Sequence, residues 1–279
     1  MSSKNQIVVT GGAGYIGSHT VLELYSAGFE AIIIDDFRNS KPWILDRIEE
    51  LIGEKPIHYA IDCSDEKALD EVFSKHQNIL GLIHFAADKA VGESVSLPVK
   101  YYQNNVGSLV AVLNVLKKYG VEHLVFSSSC TVYGEPDNPI VTEQTKIQNA
   151  TSPYGATKIV CEQLIQFEVT ASEALKGTLL RYFNPIGAHQ SALIGELPQG
   201  VPNNLVPYIT QTAKGIREQL TVYGSDYDTP DGTNIRDYIH VVDLARAHVN
   251  AIQWSVKQPG KFCEAFNLGT GTGSSVLEI

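Results

Sequence analysis

The stretch Thr10-Gly11-Gly12-Ala13-Gly14-Tyr15-Ile16-Gly17 constrains this chain more than any other. It directly follows the β-branched run IVVT at 7–10 and directly opens a helical pattern at Tyr15. Glycines so spaced let the backbone turn tightly and let a pyrophosphate approach the helix N-terminus, where free N–H groups and the dipole favour anions. Glycine-rich turns are common, and the strand–turn–helix setting is what gives this one weight. The next strand-like run, AIIIDD at 31–36, carries Asp35, whose carboxylate can accept from the adenosine ribose hydroxyls of a dinucleotide. The same carboxylate would repel a 2′-phosphate and so favours NAD over NADP. Arg38 leaves that preference open, because a guanidinium just past this strand could hold a 2′-phosphate.

Further short apolar runs lie at 56–61, 81–86, 123–129 and 178–183, with helical stretches beginning near Tyr15, Glu66, Pro98 and Pro153. Within 98–119, Val106, Leu109, Val110, Leu113 and Leu116 recur at steps of three and four, which predicts one buried stripe. Continuously apolar strands separated by helices predict an α/β fold, a doubly wound parallel sheet covered on both faces. The rhythm breaks after Phe183. Residues 1–183 therefore read as a cofactor domain and 184–279 as a smaller C-terminal substrate-binding lobe. In the lobe the pattern predicts a helix at about 205–217, a strand at 220–224, a helix at 241–256 and a strand at 264–269. The last two are expected to pack back on the first domain. Ser274 or Ser275 reads as a helix N-cap, and a chain ending four or five residues later is expected to be cut short.

Composition narrows the function. A hydrophobic content of 43% with 19% charged residues fills a sizeable core and rules out wholesale disorder. Thirty-one acidic residues against 21 basic ones leave a net charge of -10, with no Lys/Arg cluster, so no nucleic-acid partner is expected. The four cysteines (Cys63, Cys130, Cys161, Cys263) are scattered, which fits a reducing compartment and neither a disulfide frame nor a zinc site. The polar start carries no signal peptide and no run reaches membrane-spanning length, so a cytoplasmic protein without a membrane partner is expected. The sequon Asn149-Ala150-Thr151 then reads as a surface loop. His84 and His240 read as structural histidines. Asp226, Asp228 and Asp231 lack calcium-loop spacing and read as a turn.

The second chemical signal is Tyr154-Gly155-Ala156-Thr157-Lys158. On a helix, i and i+4 share a face, so phenol and ammonium can enter one site. Tyr154 alone among the 13 tyrosines has Lys four residues on. Ser127-Ser128-Ser129 ends a strand shortly before, and in an open parallel sheet the active crevice lies beyond the carboxyl ends of the strands. A tyrosine is a poor base at neutral pH, and a nearby lysine and a cationic nicotinamide are expected to lower its pKa.

TGGAGYIG, HFAADKAVGES, YYQNNV, SSSCTVYG, SPYGATK, RYFNPIGAH, PQGVPNNLVPYI and DGTNIRDYIHVVDLA together resemble the UDP-glucose 4-epimerase family of extended short-chain dehydrogenase/reductases, which have a Rossmann fold. The glycine loop and Y-x-x-x-K belong to the whole superfamily; the VPNNL, RDYIHV and AVGES segments are narrower.

The resemblance implies a tightly held NAD, a UDP-sugar substrate in galactose metabolism, and a homodimer seam built from the helix over 98–119 and the one starting at Pro153. By the same resemblance Tyr154 takes the proton of the sugar 4-hydroxyl, Ser129 bonds the 4-oxygen, and Lys158 binds the nicotinamide ribose and lowers the Tyr154 pKa. NAD would be held by Gly11, Gly14, Tyr15, Ile16, Gly17, Asp35, Asp62, Phe85, Ala86, Lys89 and Asn104, with Ser129, Tyr154, Lys158 and Tyr182 at the nicotinamide end. The UDP-sugar would meet Ser129, Tyr154, Asn184, Asn203, Asn204, Leu205, Tyr223 and Arg236, the arginine on the diphosphate.

Four positions depart from the family pattern. Ala87-Asp88 stands where Gly-Leu is usual, placing a carboxylate beside Lys89 that is expected to neutralise it in part; Asp36 replaces a frequent Asn, and Cys130 a frequent Ala. The family also continues past residue 279 with another diphosphate-binding arginine and the side chain that gates sugar size. Rival readings are a nucleotide-sugar 4,6-dehydratase, disfavoured because Cys130-Thr131 stands where an Asp-Glu pair is typical, a UDP-glucuronate epimerase, and a non-catalytic NAD-binding sensor.

Overall fold

The computed structural model describes residues 4–279. Its strands are β1 (Gln6–Thr10), β2 (Glu30–Ile34), β3 (Ile57–Tyr59), β4 (Ile79–His84), β5 (His123–Ser129), β6 (Lys176–Tyr182), β7 (Asn184–Ile186), β8 (Ile235–His240), β9 (Phe262–Leu268) and β10 (Gly273–Ser275). Its α-helices are α1 (Tyr15–Ser26), α2 (Ile44–Ile52), α3 (Glu66–Phe73), α4 (Val91–Ser96), α5 (Pro98–Tyr101), α6 (Gly107–Tyr119), α7 (Pro153–Ala171), α8 (Leu205–Ala213) and α9 (Val241–Lys257).

Seven strands form one parallel sheet in the order β3-β2-β1-β4-β5-β6-β9, and β10-β8-β7 form a small second sheet. Alternate residues of each strand face opposite layers. Val8, Ile32, Leu82 and Phe126 pack with α3, α6 and α7; Val9, Ile33, Ile83 and Val125 pack with α1, α2 and α9. Burial on both faces is why these strands read as unbroken apolar runs. Strand order reverses between β1 and β4, which opens a crevice at the carboxyl end of the sheet. Residues 241–268 return to the large sheet: α9 packs on α1 and β9 extends the edge beside β6.

The expected helix over 98–119 is interrupted. A π-helical turn, Tyr102–Val106, separates α5 from α6, and such insertions cluster at functional sites. Here the turn aims Asn105 inward, where its amide donates to the Asp88 carbonyl and to Thr157 Oγ1. Of the expected stripe, Leu109, Leu113 and Leu116 are buried but Val110 is 43% exposed, because it lies on the outer face of α6 with Asn114 and Lys117. In the lobe, residues 220–224 form no strand; Val222 and Tyr223 stand in solvent with nothing to pair against. Helix α8 ends at Ala213, where the chain turns out through Gly215 in a left-handed conformation. Ser274 and Ser275 do not cap a helix: they lie in β10, where Ser275 pairs with Ile235 and its hydroxyl donates to Asp231. Helices α2 and α4 were not among the sequence expectations.

Candidate active site

The glycine loop joins β1 to α1 at the crevice. Gly11 takes a left-handed φ of 69° and its N–H donates to the Ile34 carbonyl at 2.7 Å, tying the loop across to β2. A Cβ on Gly11 would lie 2.9 Å from Ala86 N, and one on Gly17 only 2.2 Å from the Gly11 carbonyl. Gly14 occupies the N-cap and offers no side-chain acceptor, so the first turn of α1 at Tyr15 and Ile16 presents its N–H groups to an outside anion. At the end of β2, buried Asp35 accepts from the backbone N–H of Ala13 and Phe37 and from Ser40 Oγ; burial nevertheless raises its pKa.

Arg38 is engaged. It donates to Asp36, to Asp62 Oδ2 and to Asn104 Oδ1, the last at 2.8 Å. Two carboxylates thus neutralise the one guanidinium that could have held a 2′-phosphate. The cradle fits a dinucleotide with a free adenosine ribose, which is NAD.

The chemistry-bearing side chains gather where β5 ends. Ser152 caps α7 by accepting from Gly155 N at 3.2 Å, with Pro153 in the first turn, and this starts the helix so that Tyr154 and Lys158 point at β5. Lys158 is 3% exposed; its Nζ donates to the Ser127 carbonyl at 2.6 Å and sits 4.9 Å from the Phe126 ring centroid. Burial pulls its pKa down to about 8, partly opposed by Cys161 and then by Glu162. Ser129 lies close enough to Tyr154 to act on its pKa, and Tyr182 Oη contacts Ser127 Oγ.

Sequence reasoning expects a lowered Tyr154 pKa. In the protein alone the direction is the reverse, because burial, with Tyr182 beside it, outweighs the lowering influence of Ser129. His84, on neighbouring β4, is held by Thr10 and Ser108 and is kept neutral, with its pKa pushed down to about 3 by burial.

The remaining expected residues divide. Phe85 lies against the His248 ring at 4.6 Å, and Tyr182 meets the same ring at 5.9 Å. Lys89 pairs loosely with Glu196 at 3.8 Å, and Asp88 does not neutralise it: Asp88 is buried and faces Lys100 at 3.7 Å. Asn184 starts β7 opposite Tyr238. Asn203 and Asn204 precede α8, whose first residue is Leu205; Asn204 donates to Glu196 at 2.8 Å. Arg236 lies on β8, exposed, donating to its own Asn234–Ile235 segment, and its charge reaches the Cys130 thiol. Tyr223 is 83% exposed and is not gathered with the others.

Sequence reasoning missed two buried charges behind the site, Glu162 and Arg181. The signal was present: Glu162 follows Lys158 by one helical turn, and Arg181 interrupts an apolar strand, where a charge demands a buried partner. It also missed Glu196, which joins Lys89 to Asn204.

Known proteins agree with this geometry. Residues 7–269 match the NAD dependent epimerase/dehydratase family. The UDP-glucose 4-epimerase of Dictyostelium discoideum is 50% identical over 99% of this chain and 79% of that protein, and the one from Bacillus subtilis (strain 168) is 50% identical over 98% of this chain and 79% of its own. Among solved structures, UDP-glucose 4-epimerase from Bifidobacterium longum in complex with NAD+ and UDP superposes with a TM-score of 0.93 at 47% identity, covering 98% of this chain and 81% of that one. With its glycine cradle, its Ser–Tyr–Lys cluster and half its residues in common with these enzymes, the chain belongs to the NAD dependent epimerase/dehydratase family and, within it, to the UDP-glucose 4-epimerases.

Proposed function

We propose that the protein interconverts UDP-galactose and UDP-glucose by removing hydrogen from sugar C4 and returning it to the other face, through a 4-keto sugar. The observation that carries this reading is the convergence of buried Ser129 and Lys158 with half-buried Tyr154 beside a cradle that fits NAD. NAD, when bound, supplies the hydride acceptor and donor for C4 and a positive ring charge near the phenol. Tyr154 takes the 4-hydroxyl proton and gives it back, and Ser129, its neighbour, holds the 4-oxygen and passes the proton. Lys158, an ammonium at neutral pH with its pKa near 8, binds the nicotinamide ribose and favours the phenolate.

Residues 1–183 hold the cofactor, through Gly11, Gly14, Tyr15, Ile16, Gly17, Asp35, Asp62, Phe85, Ala86, Lys89, Asn104 and Tyr182. The lobe from 184 holds the sugar nucleotide through Asn184, Asn203, Asn204, Leu205, Tyr223 and Arg236. The guanidinium suits a diphosphate, and Tyr223 stands exposed on its loop. Asp62 and Asn104 act together with Arg38, which they grip.

Two protomers pair through α4–α6 and α7, where Val91, Val95, Leu97, Val99, Tyr102, Val110 and Phe167 are exposed large apolar side chains. No helix among the described residues is long and apolar enough to cross a membrane, and all four cysteines are free; both fit the cytoplasm, where UDP-sugars would be met. The test is proton NMR of purified protein with UDP-galactose and no added NAD. Growth of UDP-glucose signals is expected; an unchanged spectrum with NAD demonstrably bound would overturn the reading.

A further inference from the structure

The serine run at the end of β5 divides its labour. Ser129 meets Tyr154, and Ser127 gives its carbonyl to Lys158 and its hydroxyl to Tyr182. Ser128 points away from the reacting groups: its hydroxyl donates at 2.5 Å to Glu162 Oε1, on α7. Glu162 in turn receives a two-pronged contact from Arg181, Nε to Oε1 at 2.9 Å and Nη2 to Oε2 at 2.6 Å. The third guanidinium nitrogen donates to Tyr133 Oη at 3.1 Å, and that hydroxyl donates to Asn267 at 2.6 Å. Glu162 and Arg181 are 4% and 6% exposed. A pair so buried is a weak source of stability, since desolvation offsets most of its attraction. Its placement is better explained by what it touches.

We infer that Glu162 is a positioning residue of the C4 chemistry, acting through Lys158, one turn back on α7, and through the Ser128 end of β5, with Arg181 as its anchor. The inference rests on the proposed function and deepens it. One carboxylate here serves two cations. Arg181 saturates its geometry, while its charge also favours the ammonium of Lys158 against burial. Among the described residues, the other groups facing Lys158 in the protein alone leave Glu162 as its fixed anion. Tyr154 and Cys161 on α7 are protonated at neutral pH, burial holding both above their ordinary values. On β5 it meets the Phe126 ring and the Ser127 carbonyl, and on β4 the neutral His84. Arg181 on β6 lies behind Glu162 and is spent on it.

Glu162→Gln keeps the shape and removes the charge. Because it strands Arg181, a second variant, E162Q/R181M, removes both buried charges and protects folding. Each is made as the NAD-loaded protein, and circular dichroism selects whichever folds. Two readouts follow. The 13Cε shift of Lys158 through a pH titration reports its proton directly, whether or not the protein turns over. The alkaline limb of kcat for UDP-galactose reports the same proton in the reaction.

For E162Q the expected result is that both midpoints fall together by about one pH unit, the scale of losing one nearby opposite charge; in E162Q/R181M the loss of the Arg181 cation offsets part of that, and both midpoints fall by less. An unmoved 13Cε midpoint overturns the inference, and so does a 13Cε midpoint that moves without the kcat limb following. A wild-type protein that loads NAD but never converts UDP-galactose would overturn the epimerase reading and this role in the C4 chemistry with it. The titration would still distinguish that failure from an absence of coupling between Glu162 and Lys158.

Discussion

Replacing Gly17 with Ala tests the cofactor cradle where its tolerance is smallest. The added Cβ would sit 2.2 Å from the Gly11 carbonyl oxygen and 2.8 Å from Gly12 Cα, against an ordinary contact that begins near 3.4 Å. Both obstacles are backbone, so no side chain can swing aside. The loop must withdraw by roughly 1 Å, and a misplacement of that size costs on the order of 100-fold in a positioned site. For NAD affinity that is about 3 kcal/mol. Against it stands the better helix propensity of Ala, at most ~1 kcal/mol in a helix interior and less in this first turn. The clash wins.

The assay is isothermal titration of NAD-stripped protein with NAD, supported by the NAD retained through purification. Gly107→Ala is the control: it lies in α6 with open space around its Cβ position and no left-handed φ, so it should keep NAD. Affinity of G17A within threefold of the parent would refute the claim that close approach of backbone to backbone is what this glycine provides.

Tyr154→Phe removes the phenol hydroxyl and should lower kcat by about 1,000-fold, a typical loss for a positioned acid–base group, while retained NAD is unchanged; stopped NMR conversion assays would show it. Val99→Asp puts a charge on a side chain 67% exposed in the proposed seam, and should shift the size-exclusion mass from dimer to monomer at micromolar concentration without changing the circular dichroism spectrum. A dimer that persists through V99D moves the seam elsewhere.

The legibility of this chain followed the strength of its local physics. Strands β1, β2, β4, β5 and β6 are apolar on both faces because helices cover both faces, so they were visible within two residues of their observed ends. In the lobe the second sheet has short strands: β10 has three residues, and Ile235 and Arg236 of β8 are exposed, so no run of apolar residues marks either. Leu220 to Gly224 has the β-branched content of a strand and no partner to pair with. The π turn at Tyr102–Val106 left no compositional mark, and Val110 lies on the outer face of α6 with Asn114 and Lys117 rather than in the expected stripe.

At the site, Tyr154 and Lys158 were legible because a helix fixes the i, i+4 relation by itself. The partners of Arg38 were not, since Asp62 and Asn104 reach it from two other elements. The same is true of Asp88, whose neighbour in sequence is Lys89 but whose neighbour in space is Lys100.

Lys158 also carries a stability argument with a determinate sign. Its pKa falls from an ordinary 10.5 to about 8 on folding, because the buried ammonium is desolvated. Between those values the unfolded chain binds more protons than the folded one, so stability rises with pH across that window. The penalty is fully present below about pH 8 and gone above about 10.5; a shift of this size corresponds to roughly 3 kcal/mol.

Lys158→Met removes the penalty and the hydrogen bond to the Ser127 carbonyl, itself worth about 1 kcal/mol. The variant should therefore be inactive yet more stable than the parent at pH 7, by about 1–2 kcal/mol, with the gain vanishing or reversing near pH 10. Urea unfolding at the two pH values measures it. A variant less stable at pH 7, or a difference that ignores pH, would show that Lys158 is not held against its own desolvation. The expected outcome identifies the ammonium as a group the fold tolerates at a loss, one that the Ser127 carbonyl, the Phe126 ring and the neighbouring Cys161 and Glu162 reduce.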